Sequence, residues 1–196
     1  MSSGDPETRN RILTATWRLM EKQKGRDVRV EDIAREAKVS RQAVYLHFKT
    51  RAELLVATVR HVDETLGLKD RLQPLYTASG GAELLDAYIE FWGNYLPEIY
   101  GLARALLAVR ETDDAADAAW EDRMAALRDG GRPIIDCLIR EDLLAAEWDA
   151  GRATDALWAL LSVDVWESLI VDRGWTNEKY VETMKIVVRR TFLKAR

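Results

Sequence analysis

Arg41 and Gln42 stand side by side just after Ser40, in a stretch where Tyr45, His47 and Lys49 also carry polar or charged ends. A guanidinium can make two parallel hydrogen bonds to a guanine edge, and a carboxamide two to an adenine edge. Hydroxyl, imidazole and ammonium groups suit phosphate oxygens, which position a protein on a duplex without specifying sequence. This chemistry needs a short helix presenting Arg41, Gln42 and Tyr45 outward. Val44 and Phe48, one turn apart, supply its inward side, and Ser40 is a natural N-cap for a helix from Arg41 to Phe48.

Other chemistries find few residues. His47 and His61 are the only histidines, and no Glu-x-x-His pair, Gly-rich phosphate loop or nucleophile elbow occurs. His47 fits a phosphate contact, and His61 an exposed helix position. The one cysteine, Cys137, reads as a small buried apolar residue. No catalytic site, cofactor or metal is therefore expected. A bundle enzyme and a protein-binding helical adaptor remain as alternatives, the latter needing no outward Arg41-Gln42 pair.

Around that stretch the pattern is helical throughout, because apolar residues recur at three and four positions and no alternation lasts long enough for a strand. Asp5-Pro6-Glu7 starts a first helix, with Ile12, Leu13, Thr16, Trp17, Leu19 and Met20 inward and Lys24-Gly25 as its stop. A second helix over Val30 to Ala37 packs Ile33, Ala34 and Ala37. Thr50-Arg51-Ala52-Glu53 is a capping box opening a fourth helix to about Leu66. The stretch from Gly67 to Gly81 is the least regular and is the expected boundary, giving a head over 1–66, with helix four as connector, and a body over 67–196. In the body, helices are expected over 82–95, 98–109, 114–128, 133–146, 153–172 and 177–194, broken at Pro97 and at Asp129-Gly130-Gly131-Arg132-Pro133. The fold class is all-α: a three-helix head plus a helical bundle, about nine helices in total.

Charge divides along the same line. Residues 1–60 hold 13 Lys and Arg against 8 Asp and Glu, whereas residues 61–196 hold 16 against 25. A basic head on an acidic body suits a chain of which one end meets phosphates. No stretch approaches the roughly 20 apolar residues of a membrane span, and the start lacks an apolar signal core, so a cytoplasmic protein without a membrane partner is expected.

The run from Val30 to Leu55, Val-Glu-Asp-Ile-Ala-Arg-Glu-Ala-Lys-Val-Ser-Arg-Gln-Ala-Val-Tyr-Leu-His-Phe-Lys-Thr-Arg-Ala-Glu-Leu-Leu, resembles the DNA-binding signature of the TetR family. The likeness covers about residues 9 to 60; beyond it only helix order and length agree. It implies that Ser40 to Lys49, Ala43 included, is the recognition segment, and that Tyr45, His47 and Lys49 touch backbone phosphates. Two positions depart from the pattern. Arg29 stands where a capping threonine is usual and Lys38 where a glycine is, and both are expected to add phosphate contacts.

One short helix reads few base pairs, so such heads work as two-fold dimers on palindromic double-stranded operators. The resemblance implies a homodimer built on the last two helices, whose apolar faces carry Trp158, Leu161, Val165, Trp166 and Leu169, then Tyr180, Met184, Val187, Val188 and Thr191. It also implies a small-molecule effector pocket in the body. Trp92, Tyr95, Trp120 and Trp148 are its candidate walls, with Glu111, Asp113, Asp136 and Asp164 as acids that could receive a cation. The chain thus reads as a ligand-responsive regulator, a repressor before an activator.

Overall fold

The computed structural model describes residues 5–26 and 28–195, and every regular element among them is helical apart from one isolated antiparallel bridge between Leu144 and Leu193. The Asp5 carboxylate opens α1 (Pro6–Gln23) by accepting from the amides of Glu7 and Thr8, which no preceding turn can satisfy. Ile12, Leu13, Thr16, Leu19 and Met20 form its buried face. It stops where Lys24 and Gly25 turn left-handed, at φ 51° and 76°. The Gly25 amide donates back to the Met20 carbonyl at 2.8 Å, closing the last turn.

Next come α2 (Val30–Glu36), α3 (Arg41–His47) and α4 (Arg51–Thr65). In the capping box of α4, the Thr50 side chain accepts from the Glu53 amide, and the Glu53 carboxylate accepts from the Lys49 amide at 2.8 Å. The stretch expected to be irregular holds two short helices, α5 (Leu68–Arg71) and α6 (Gln73–Thr77).

Neither expected proline break occurs. Helix α7 (Gly81–Leu107) runs through Pro97, and α8 (Asp114–Arg140) runs through Gly130, Gly131 and Pro133. An interior proline costs a helix about 3 kcal/mol in lost hydrogen bonding and crowding. Each fully buried large apolar side chain contributes about 1.5–3 kcal/mol. Leu85, Ile89, Tyr95 and Leu96 on α7 and Ile134, Ile135 and Leu138 on α8 are all at most 2% exposed, so burial outweighs the local penalty.

The helix expected over 153–172 is instead α9 (Ala150–Leu160), then α10 (Val163–Glu167) running on into a π-helical turn, Ser168–Asp172. Ser162 separates the two helices and caps the second, its hydroxyl accepting from the Val165 amide. After α11 (Asn177–Phe192) the chain pairs with the segment following α8: Ala145 donates to the Phe192 carbonyl at 2.8 Å and Lys194 to that of Leu143 at 2.9 Å.

Two compact units divide these helices. The first comprises the described residues up to Leu68 together with Ile99–Met124. Here α1 packs on α2 and α4, and α2 on α3, around buried Ile12, Leu13, Ile33, Val44, Phe48 and Leu55. A Cβ on Gly25 would stand 2.0 Å from the Ala105 carbonyl oxygen, so only glycine permits this backbone approach. Arg51 donates to the Val28 carbonyl at 2.7 Å and pairs with Asp113 at 2.9 Å. Asp113 also caps α8, accepting from the Ala115 amide. Arg60 pairs with Asp122 at 2.7 Å, and Arg123 with Asp63.

The second unit comprises Lys69–Glu98 and the described residues from Ala125 onward. Its α7 segment carries an aromatic cluster. Phe91 stacks on Tyr95 with centroids 5.4 Å apart, and Trp92 meets both edge-on. The Tyr88 hydroxyl donates to the Leu127 carbonyl at 3.2 Å. Gly93 lets α11 close in, since a Cβ there would come within 2.4 Å of a Val181 methyl.

Candidate functional site

The Ser40 hydroxyl caps α3 by accepting from the Ala43 amide at 3.1 Å. Val44 is 1% exposed and Phe48 2% exposed, which fixes the rotation of the helix. Arg41, Gln42, Tyr45 and Leu46 face solvent, while Ala43 and His47 are half-buried. Ser40, Lys49, Arg29 and Lys38 are exposed as well. The sequence-predicted reading and phosphate residues therefore sit on α3, in the turn that joins α2 to α3, and on either side of that pair.

The two departures from the pattern have local consequences. Arg29 precedes α2 with extended backbone and makes no side-chain cap bond, so that helix starts without the hydroxyl that typically stabilises such a start by about 1 kcal/mol. Lys38 takes φ 56°, the left-handed angle for which glycine carries no steric cost. The turn still closes, with the Val39 amide donating to the Ala34 carbonyl at 2.9 Å.

Arg41 is held in place by its neighbours. Its Nη1 lies 2.7 Å from Glu31 Oε1 on α2, and its guanidinium sits 5.6 Å from the Tyr45 ring centre. Bonding to Tyr45 first, and the Glu31 charge second, hold it protonated even more firmly than an ordinary arginine. Glu31 in the sequence looks like a first-turn acid of α2; its contact with α3 becomes visible only when the helices are packed. Leu46, an apolar residue out of phase with Val44 and Phe48, is legible in the sequence as an outward hydrophobic side chain, and it is exposed.

His61 differs from expectation. It is half-buried on α4, and its Nε2 lies 3.0 Å from the Thr14 hydroxyl of α1. Burial lowers its pKa from the usual 6.5, with Arg9 adding to the effect and Glu64 opposing it.

Of the four aromatic residues expected to wall one pocket, Trp92, Tyr95 and Trp148 belong to the second unit and Trp120 to the first. Trp92 and Tyr95 lie together, 6.0 Å between ring centres, in the second unit. Trp120 belongs to the first unit, with Arg110 over its ring. Trp148 packs on Phe192 and donates to the Thr191 carbonyl at 2.7 Å. Two of the four acids are already engaged, Asp113 by Arg51 and Asp136 by Arg132; Glu111 and Asp164 are exposed. The second unit does hold buried donors without partners, the Trp92 indole N–H and the Tyr180 hydroxyl. Burial pushes the Tyr180 phenol up to about 12, so it stays a neutral donor. An open cavity of about 310 Å³ on this unit is lined by Arg71, Pro74, Ala87, Glu90, Phe91 and Asn94.

Of the apolar residues on the last helices, Leu161, Trp166, Tyr180, Met184 and Val188 are buried within the protomer. Trp158, Val165, Leu169, Val187 and Thr191 are half-buried, and Ile186 and Val171 are exposed.

A capped, outward-facing short helix joined by a tight turn to the helix it packs on defines a helix-turn-helix head. Residues 12–58 match the family model described as bacterial regulatory proteins, tetR family. In this N-terminal segment the chain is thus similar to the DNA-binding part of that family. No curated protein matches it in sequence. Solved structures share its fold along most of its length. A transcriptional regulator from Saccharomonospora viridis in complex with choline is 18% identical, with a TM-score of 0.75 over 97% of this chain and 100% of that one. The regulator FadR from Bacillus subtilis in complex with stearoyl-CoA is 15% identical, with a TM-score of 0.74 over 92% and 97%. A TetR transcription regulator from Haloarcula marismortui is 20% identical, with a TM-score of 0.72 over 97% and 100%. Among the described residues no helix is long and apolar enough to cross a membrane.

Proposed function

We propose that this protein is a cytoplasmic, ligand-responsive repressor that binds a palindromic operator as a homodimer and leaves it when a small hydrophobic effector binds the body. The observation that carries the reading is the exposed start of α3, where Arg41 and Gln42 project outward and Arg41 is pre-positioned by Glu31 and Tyr45. A side chain already held in place loses less entropy when it meets a base edge. The functional head is residues 1–66, with α4 as connector, and the body is 67–196.

Pairing through α9 to α11 is supported by the half-buried Trp158, Val165, Leu169 and Val187 together with exposed Ile186, apolar groups left partly in water by one protomer alone. An effector in the body is supported by the unmet Trp92 and Tyr180 donors, which suit a largely apolar molecule carrying an acceptor. Such a molecule lowers DNA affinity only by binding better to the state with poorly spaced heads.

The test is selection from a randomised duplex pool, comparing the parent with the double variant Arg41→Ala plus Gln42→Ala. A palindromic site recovered by the parent and lost by the variant is the expected result. A folded dimer that selects no sequence would overturn the reading and leave a protein-binding adaptor. On the selected site, Lys38→Ala and Arg29→Ala should each flatten the dependence of log affinity on log salt by about one.

A further inference from the structure

The outward surface of α3 carries two stripes. Arg41 and Tyr45, four residues apart, are tied to each other and to Glu31. Gln42 and Leu46, also four apart, form the other stripe, and none of the described contacts engages either side chain. Leu46 is 78% exposed. A single exposed leucine is ordinary on any surface; its place here is not, because it stands on the reading helix one turn beyond the residue suited to an adenine edge. A leucine offers phosphates nothing. In the major groove its apolar partner is the C5-methyl group of a pyrimidine, which thymine alone among the four standard bases carries.

Resting on the reading of α3 as the recognition helix, we propose that Leu46 is a specificity-determining residue that packs on a thymine C5-methyl group in each half-site. Four helical residues advance about 6 Å, and stacked base pairs are about 3.4 Å apart, so this thymine lies roughly one or two base pairs from the pair read by Gln42. Ala43, half-buried on the same side, leaves room for the methyl group to approach the helix. The two stripes then divide the labour: Arg41, held in one geometry, reads a guanine edge by hydrogen bonding, and Leu46 reads a methyl group by burial.

The test uses the full-length dimer and its selected operator. Each thymine of one half-site is replaced in turn by deoxyuridine, which removes only the methyl group, and affinity is measured for the parent and for Leu46→Ala. At one position the parent should lose about three- to fivefold in affinity, the value of one buried methyl group, and Leu46→Ala should not respond there. At that position 5-methylcytosine should bind the parent more tightly than cytosine, showing that the methyl group is read whichever pyrimidine bears it. The proposal is overturned if no thymine is sensitive to uracil, or if the sensitive one is equally sensitive in Leu46→Ala. An operator still bound specifically in either case would leave the regulator reading standing. Failure to select any operator would remove both.

Discussion

The two units are held in different ways. In the first, ion pairs reach across helices: Arg51 to Asp113, with side chains 28% and 23% exposed, and the still less exposed Arg123 with Asp63. In the second, pairs such as Arg128 with Asp155 lie further out in solvent, where they contribute little, and the interior is organised by aromatic packing. Directional contacts in partial burial select one arrangement of helices. Apolar packing tolerates rearrangement provided volume is kept. A unit built in the first manner holds its surface fixed, and one built in the second has an interior that can repack.

The largest expected effect would break the rigid side of this contrast. Gly25→Ala places a methyl group against the Ala105 carbonyl at a left-handed φ, and should destabilise the protein by about 3 kcal/mol or more, read as a lower urea midpoint with an unchanged slope. A loss under about 1 kcal/mol would mean that the first unit yields as easily as the second. Tyr180→Phe sharpens the other side. Removing a buried hydroxyl without a partner should stabilise the free protein by about 1 kcal/mol, measured by thermal unfolding, whereas a comparable loss would mean that the hydroxyl is satisfied. The smallest effect concerns His61. Its folded pKa lies below the unfolded value of 6.5, so folding favours the neutral ring. The resulting stability is present above that value and fades as pH falls through the folded one. A stability profile from pH 8 to pH 5 should therefore fall less in His61→Gln than in the parent; parallel profiles would show that the Thr14–His61 contact is insensitive to charge.

Local signals were legible where local physics decides. Asp5, Ser40 and Thr50 cap the helices that their side chains announce, because a cap needs only the next three residues. The left-handed angle of Lys38 is implied instead by the resemblance, which places a glycine there. Pro97 and Pro133 misled because their penalty is local, while the burial that outweighs it comes from residues distant in sequence. For a related reason, composition shows that Trp92, Trp120 and Trp148 are large and apolar, but only packing gives each its neighbours. The proposed reading surface was legible as a set of residues, yet the Glu31 clasp on Arg41 was not, since it joins two helices whose angle the sequence does not state. The buried half of the apolar residues on α9 to α11 likewise appeared in sequence as one continuous face.

The π-helical turn at Ser168–Asp172 has a consequence for how this segment can change length. Each of its hydrogen bonds spans one residue more than an α turn does, so the chain carries a single extra residue between Glu167 and Arg173. Deleting one residue there would restore α phase without shortening the path by a whole turn, whereas deleting one from within α11 would rotate every later side chain by about 100°. The turn is thus a helical point in the C-terminal region where a one-codon deletion can be absorbed, and a scan of single deletions should find tolerated positions there as well as in the loop that follows.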